Sequence, residues 1–204
     1  MDNESDESTE REEILWVKNP EYSEWKCLLF GGDSFVVVDP ASLGLSLGTE
    51  DAQKLAELGV KITNAANEQL KFHHPLQPDW QHHSFCLFAG ALEHGVDGLR
   101  AKSIVSIQPG KLDRSPTGTA VSARMALLHA KGEMKVGDSL TGVSIIGSEF
   151  QGKILGETKV GDISAIRPQI SGRGWVTGTH QHMLDPRDPW PAGYRLADTW
   201  PRYR

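Results

Sequence analysis

The chain has 204 residues, 38% of them hydrophobic, and a formal net charge of -6, enough apolar material for a sizeable core in one large domain or two small ones. The charge is uneven, because residues 1–13 carry Asp2, Glu4, Asp6, Glu7, Glu10, Glu12 and Glu13 against Arg11 alone, which leaves the rest of the chain formally neutral. A neutral body with no basic stripe gives no electrostatic case for nucleic acid or an anionic membrane surface; no apolar run approaches the roughly 18 residues of a membrane span; and the acidic start is neither a secretory signal nor a transit peptide. The expectation is a cytoplasmic protein with a small-molecule partner.

Residues 1 to about 13 read as an acidic, disordered stretch, and the tail is drawn to residue 20, with one domain over 21–204. Trp25 to Phe30 and Ser34 to Val38 read as two strands around Gly31-Gly32, closed by Asp39-Pro40. Thr49 precedes Glu50, Asp51 and a run with Leu55, Leu58, Ile62 and Ala66 near helical spacing, which predicts a capped amphipathic helix over about 50–66, with Gly59 a threat to its continuity. Ile104 to Gln108 is a short apolar strand before the turn signal Pro109-Gly110. A loop from Asp113 then leads into a helix over about 118–131, where Val121, Met125 and Leu128 make one apolar stripe and Gly132 stands at the C-terminal end. That helix should be buried on one side. Four further β-rich pieces, 143–146, 150–154, 163–167 and 175–179, separated by Gly, Asp and Pro, suggest antiparallel strands, so the fold class is α+β with strands in the majority.

The chemistry concentrates where the loop meets the second helix. Gly118 and Thr119 stand at a helix start, whose unpaired backbone N–H groups and positive dipole end suit a carboxylate. Pro116 fixes the chain direction, Thr117 and Thr119 offer hydroxyls, and Asp113 supplies a negative charge that could meet an ammonium. An anion site beside an acid suits a zwitterionic amino or imino acid. On local chemistry alone, a plain capped helix start with Asp113 and Arg114 as a surface pair explains the residues equally.

The order Asp113-Arg114-Ser115-Pro116-Thr117-Gly118-Thr119 resembles the signature Asp-Arg-Ser-Pro-Cys-Gly-Thr of the proline racemase family, which comprises proline racemases, 4-hydroxyproline epimerases and trans-3-hydroxyproline dehydratases. Similarity continues through Ser148-Glu149-Phe150-Gln151-Gly152, Ile170-Ser171-Gly172, Gly178-Thr179-His180 and Asp185 to Trp190, and backward through Leu43-Gly44-Leu45 and Gly31-Gly32. The resemblance implies a diaminopimelate epimerase-like fold, of which this chain would hold one complete domain and part of the second. It implies chemistry at Cα of a cyclic imino acid without metal, pyridoxal or other cofactor, and it allows a homodimer. Asp113 would hold the ring nitrogen, Gly118 and Thr119 would bind the carboxylate, and Thr117 would occupy a catalytic position where racemases and epimerases carry a cysteine. A threonine hydroxyl is too weak an acid to shuttle protons as a thiol does, so the resemblance points to the branch that dehydrates trans-3-hydroxy-L-proline. The alternatives are a proline racemase or 4-hydroxyproline epimerase homologue, or an inactive fragment. The family's first motif, Met-Cys-Gly-His-Gly-Thr or its serine variant, does not occur in these 204 residues, which implies that the chain corresponds to the C-terminal portion of such an enzyme.

Other candidates rank lower. Cys27 and Cys86 lie in apolar strand contexts and read as structural thiols. The pairs His73-His74 and His82-His83 and the near pair His180/His182 complete no familiar metal spacing and read as solvated loop residues. Gly31-Gly32-Asp33 could border a substrate or simply turn the chain. The six tryptophans read mostly as core, with Trp190 and Trp200 free to cover an interface.

Overall fold

Phe35 to Val38 is a run of four apolar residues with no alternation, the pattern of a strand buried on both faces. The computed structural model of the protein describes the backbone course of residues 14–18 and 26–30, and residues 33–95 and 98–194 in full. It accounts for that run by two helices. From strand β3 (Asp33–Val38), Phe35 and Val37 join one core layer with Ala120, Ala123 and Leu127 of helix α2 (Gly118–Ala130), whereas Val36 and Val38 join another with Leu55, Ile62 and Ala66 of helix α1 (Ala52–Gln69). Strands β4 (Phe85–Gly95) and β5 (Gly98–Ile107) divide likewise: Leu87 and Val105 belong to the α2 layer, Cys86, Phe88 and Ile104 to the α1 layer.

The remaining strands are β1 (Ile14–Lys18), β2 (Lys26–Phe30), β6 (Lys111–Leu112), β7 (Ser139–Val143), β8 (Glu149–Val160) and β9 (Ile163–Ser171). Among the described residues the nine strands form one sheet in the order β1-β2-β3-β4-β5-β7-β8-β9, with β6 paired to β5. β3 runs parallel to β4 across α1, and β5 parallel to β7 across α2; every other pairing is antiparallel. The class is α+β as expected, but the sheet is mixed. A helix between two neighbouring strands carries the chain back to its starting edge, and that return makes them parallel.

Helix α2 departs most from its expected form. It lies against β1, β2, β3, β5, β7, β8 and β9, and β1 comes close to β9, so the sheet curls around it. Every residue from Ala120 to Leu128 is buried, on all sides and not along one stripe. A second layer, Val121, Met125 and Leu128 with Ala101, Leu140, Ile154 and Ile166, fills the side opposite β3. The strands must then come very near the helix backbone, and Gly152 of β8 permits it: a Cβ there would meet Met125 Cε at 2.7 Å.

Other boundaries shift for local reasons. α1 continues unbroken through Gly59, where the helix passes so close to Ser106 of β5 that a side chain would collide with it. It runs to Gln69 and is preceded by a 3-10 turn at Thr49–Asp51, so Thr49 is not its cap. Ile14–Lys18, assigned to the acidic tail, forms β1 opposite β2, as its apolar, partly β-branched residues favour. Residues 1–13 and Gly31-Gly32 lie outside the described residues. β4 is eleven residues long, with an irregularity between Ala89 and Leu92, where the expected elements showed only an apolar context around Cys86.

The described residues divide into two compact units, one ending at Arg173 and the other beginning at Gly174. Within the second, the expected strand at 175–179 is absent, and Trp175, Val176 and Trp190 are exposed.

Candidate active site

Strand β6 and a backbone bond from Asp113 N–H to the Val105 carbonyl (3.0 Å) place the start of the loop at the end of β5. Asp113 then organises the loop around its own carboxylate. Oδ1 accepts from Ser115 N–H at 2.9 Å and Oδ2 accepts from the Thr117 hydroxyl at 2.7 Å, while Thr117 N–H donates to Ser115 Oγ at 3.1 Å. This is the side-chain-to-backbone economy that favours Asp and Ser in turns. From the β7–β8 turn, Ser148 Oγ donates to the Arg114 carbonyl at 3.4 Å and is itself paired with Ser144 Oγ at 2.7 Å. The Ser148 segment noted in the sequence therefore braces the Asp113 loop.

Thr117 is the N-cap of α2 by hydrogen bonding, since its carbonyl accepts from Val121 N–H at 2.9 Å, yet its φ of 58° and ψ of 99° lie far from the usual cap region. Among the described residues it alone has positive φ without being glycine. A β-branched residue there costs on the order of 1–3 kcal/mol. Its hydroxyl does not cap the helix, because Asp113 has engaged it. The first N–H groups of α2, from Gly118 onward, thus receive no side-chain cap and face the loop with the positive end of the helix dipole. Gly118 leaves this mouth open: an added Cβ would touch nothing nearer than Ile170 Cγ2 at 3.6 Å. The residues from Asp113 to Thr119 are half-buried, apart from exposed Arg114 and buried Pro116.

The structure brings all four singled-out residues together, Asp113, Thr117, Gly118 and Thr119, and adds a fifth. The Asp33 carboxyl at the start of β3 comes near the Thr119 hydroxyl; burial raises its pKa and the hydroxyl lowers it, burial being the larger effect. In the sequence Asp33 stood out only as a neighbour of Gly31-Gly32, with nothing to link it to a helix more than eighty residues on.

Sequence reasoning missed Arg124. It sits in the middle of α2, 7% exposed, where its guanidinium donates to Ser103 Oγ at 2.7 Å and to the carbonyls of Lys102 and Gly90. Burial lowers its pKa to about 10. It pins the irregular part of β4 and lines a cavity of about 630 Å³ that Leu127, Leu128 and Lys131 also line, at the C-terminal end of α2. Lys102, Arg124 and Lys131 are balanced there by Asp39, Glu93 and Glu133, so the cavity has no preference for either sign of charge.

Cys86 is buried in the sheet, and burial pushes its thiol pKa up, which suits a structural thiol. Cys27 lies on β2, whose side chains are outside the described residues. His74 and His83 are buried, against the expectation of solvated loop histidines, because the segment before β4 packs on Phe72 and Trp80. His73, His82, His180 and His182 are exposed. Among the described residues no group of three His, Cys, Asp or Glu side chains is arranged to hold a metal ion, and no helix is long and apolar enough to cross a membrane.

Comparison with known proteins bears on this geometry. The family described as proline racemase matches residues 21–195. A hydroxyproline epimerase from Agrobacterium vitis, solved with bound trans-4-hydroxy-L-proline, is 34% identical over 92% of this chain and 55% of its own, with a TM-score of 0.68. A probable proline racemase from Agrobacterium radiobacter K84, solved with bound carbonate, is 35% identical over 93% of this chain and 55% of its own, with a TM-score of 0.66. The chain spans about half the length of these solved structures.

Proposed function

Because the chain belongs to the proline racemase family, we propose that the loop and helix start from Asp113 to Thr119 are half of a hydroxyproline site, of the kind that dehydrates trans-3-hydroxy-L-proline to Δ1-pyrroline-2-carboxylate. The observation that carries this reading is Thr117, a hydroxyl held by Asp113 at 2.7 Å where racemases and epimerases of the family resemble one another in carrying a cysteine. Gly118 and Thr119 offer amide donors for the substrate carboxylate, and Asp113 retains acceptor capacity for the ring nitrogen after its two loop bonds.

In the dehydration, a base removes the Cα proton, the freed electron pair forms the Cα–Cβ double bond, and the C3–O bond breaks as the hydroxyl takes up a proton from the protonated base and leaves as water. The resulting enamine tautomerises to the cyclic imine. One base suffices, whereas racemisation needs a proton donor on the opposite face, and a threonine hydroxyl is far weaker than a thiol in that role. Thr117 is therefore assigned contact with the substrate or a water, not proton abstraction. The family's base-bearing first motif is absent from these 204 residues, so low turnover by this chain is expected. The substrate is a small cytoplasmic metabolite in this reading, with neither metal nor organic cofactor.

Incubation of the purified chain with trans-3-hydroxy-L-proline should yield Δ1-pyrroline-2-carboxylate, and calorimetry should show binding of pyrrole-2-carboxylate, a planar mimic of the deprotonated substrate. A second reading, hydroxyproline epimerisation, is favoured by the similarity to the Agrobacterium vitis epimerase. Epimer formed from 4-hydroxyproline or proline, with no imine product, would establish it in place of the dehydratase.

A further inference from the structure

The groups that the loop and the head of α2 offer a ligand are polar: the Asp113 carboxylate, the Thr117 hydroxyl it holds, and the first amides of the helix. A proline-like ring also carries methylene carbons, and donors and acceptors alone would leave those carbons against water. Strand β9 brings an apolar side chain to the same place. Its Ile170 pairs with Gly152 of β8, and residues directly opposite in an antiparallel pair share a face of the sheet. That face is turned to α2, since a Cβ on Gly152 would meet Met125. Along β9 the residues on this face become less buried in order: Ile166 is 1% exposed, Pro168 is buried and Ile170 is half-buried. Ile170 is therefore the last inward-facing residue before β9 ends at Ser171. It stands at the start of the helix, with Cγ2 3.6 Å from where a Cβ on Gly118 would lie, across space that Gly118 leaves open.

We infer that Ile170 is a specificity-determining residue of this half-site: its side chain is the apolar wall for the ring carbons of a cyclic imino acid whose carboxylate lies on the first amides of α2. The inference rests on the reading of this mouth as a cyclic imino acid site. Contacts to a carboxylate and an ammonium select for charge, and open-chain amino acids carry the same charges. A wall across the open side of Gly118 adds selection for a compact carbon ring. Isoleucine suits the task, because its β-branch leaves few χ1 positions in a strand and holds the wall still. Gly118 belongs to the same arrangement, since a methyl group on it would fill the space the ring needs. A role for Ile170 confined to packing against the layer of Val121 and Met125 would predict lower stability on substitution, with no change in which ligand the site prefers.

The test titrates the full chain with two carboxylates, pyrrole-2-carboxylate, which carries a five-membered ring, and acetate, which does not, and follows the amide NMR signals of Gly118 and Thr119. The wild type should prefer the ring by on the order of tenfold, the effect of taking a few ring carbons out of water. I170A should shrink that preference severalfold while acetate binds as before. I170L, which keeps the volume but moves the branch, should shrink it less, and it carries the comparison if I170A does not fold. G118A should weaken pyrrole-2-carboxylate by on the order of tenfold without lowering the urea midpoint, because alanine is the better helix former and would meet Ile170 only at ordinary contact distance. An unchanged preference in the Ile170 variants overturns the inference, and so does a G118A chain that binds the ring as tightly as the wild type. Failure of the underlying reading has its own signature. A wild type whose Gly118 and Thr119 amides respond to neither ligand has no carboxylate site there, and the inference falls with the reading; a wild type that binds acetate and pyrrole-2-carboxylate equally keeps the carboxylate site and loses the wall.

Discussion

Asp113 concentrates three tasks in one carboxylate: it turns the loop, it engages the Thr117 hydroxyl, and it leaves the first amides of α2 uncapped for a ligand. Those tasks pull against stability, since Thr117 sits at a φ of 58° that its side chain disfavours. D113A should therefore cost stability as well as binding. Loss of two hydrogen bonds to a charged acceptor predicts about 2 kcal/mol less resistance to urea, and release of the Thr117 hydroxyl predicts weaker binding of pyrrole-2-carboxylate. A D113A chain that melts like the wild type would show that the loop is held by Pro116 and Ser148 instead. Arg124 is the contrasting residue: equally polar and far more buried, it spends its donors on the Gly90 and Lys102 carbonyls and on Ser103. Its task is to hold the bent part of β4.

At the scale of elements, α2 can run through the curl of the sheet only because small residues line its path. Gly152 in β8 faces Met125 with no room for a Cβ. G152A should destabilise the protein by roughly 1–3 kcal/mol through overpacking, the usual cost of an extra carbon in a filled core. In an M125A background, itself costing about 2–5 kcal/mol, most of the G152A penalty should vanish, since the atom it meets is gone. Additive losses in the double variant would mean that the two residues do not touch. The same packing explains why the sequence suggested a one-sided helix. Val121, Met125 and Leu128 do form one face, but Ala120, Ala123 and Leu127 form another equally buried one, and small residues register weakly as apolar.

At the scale of the molecule, stability is linked to acid through His83. Its backbone N–H donates to Asn67 Oδ1 at 2.6 Å and its carbonyl accepts from Asn67 Nδ2 at 3.1 Å, which joins α1 to the segment before β4. The ring is buried beside Phe72, and burial, with a smaller push from His82, lowers its pKa to about 4 from an ordinary 6.5. A depressed histidine favours the folded state only while neutral, so the unfolded chain takes up the proton first. Stability should be full above pH 6.5 and fall by up to about 3 kcal/mol as the pH drops to about 4. Urea midpoints measured across that range should show the decline, and H83F should flatten it; an equally steep decline in H83F would assign the effect to other groups. The sequence by itself determined the family, the α+β class, the two helices and the cluster from Asp113 to Thr119, because these rest on local order: spacing, turn residues and a contiguous signature. The approach of Asp33 to Thr119, the burial of Arg124, His74 and His83, the parallel pairings and the burial of α2 on every side were decided by the tertiary structure. Each depends on which distant segments meet, and the closing of the sheet around α2 settles that through packing between residues far apart in the chain.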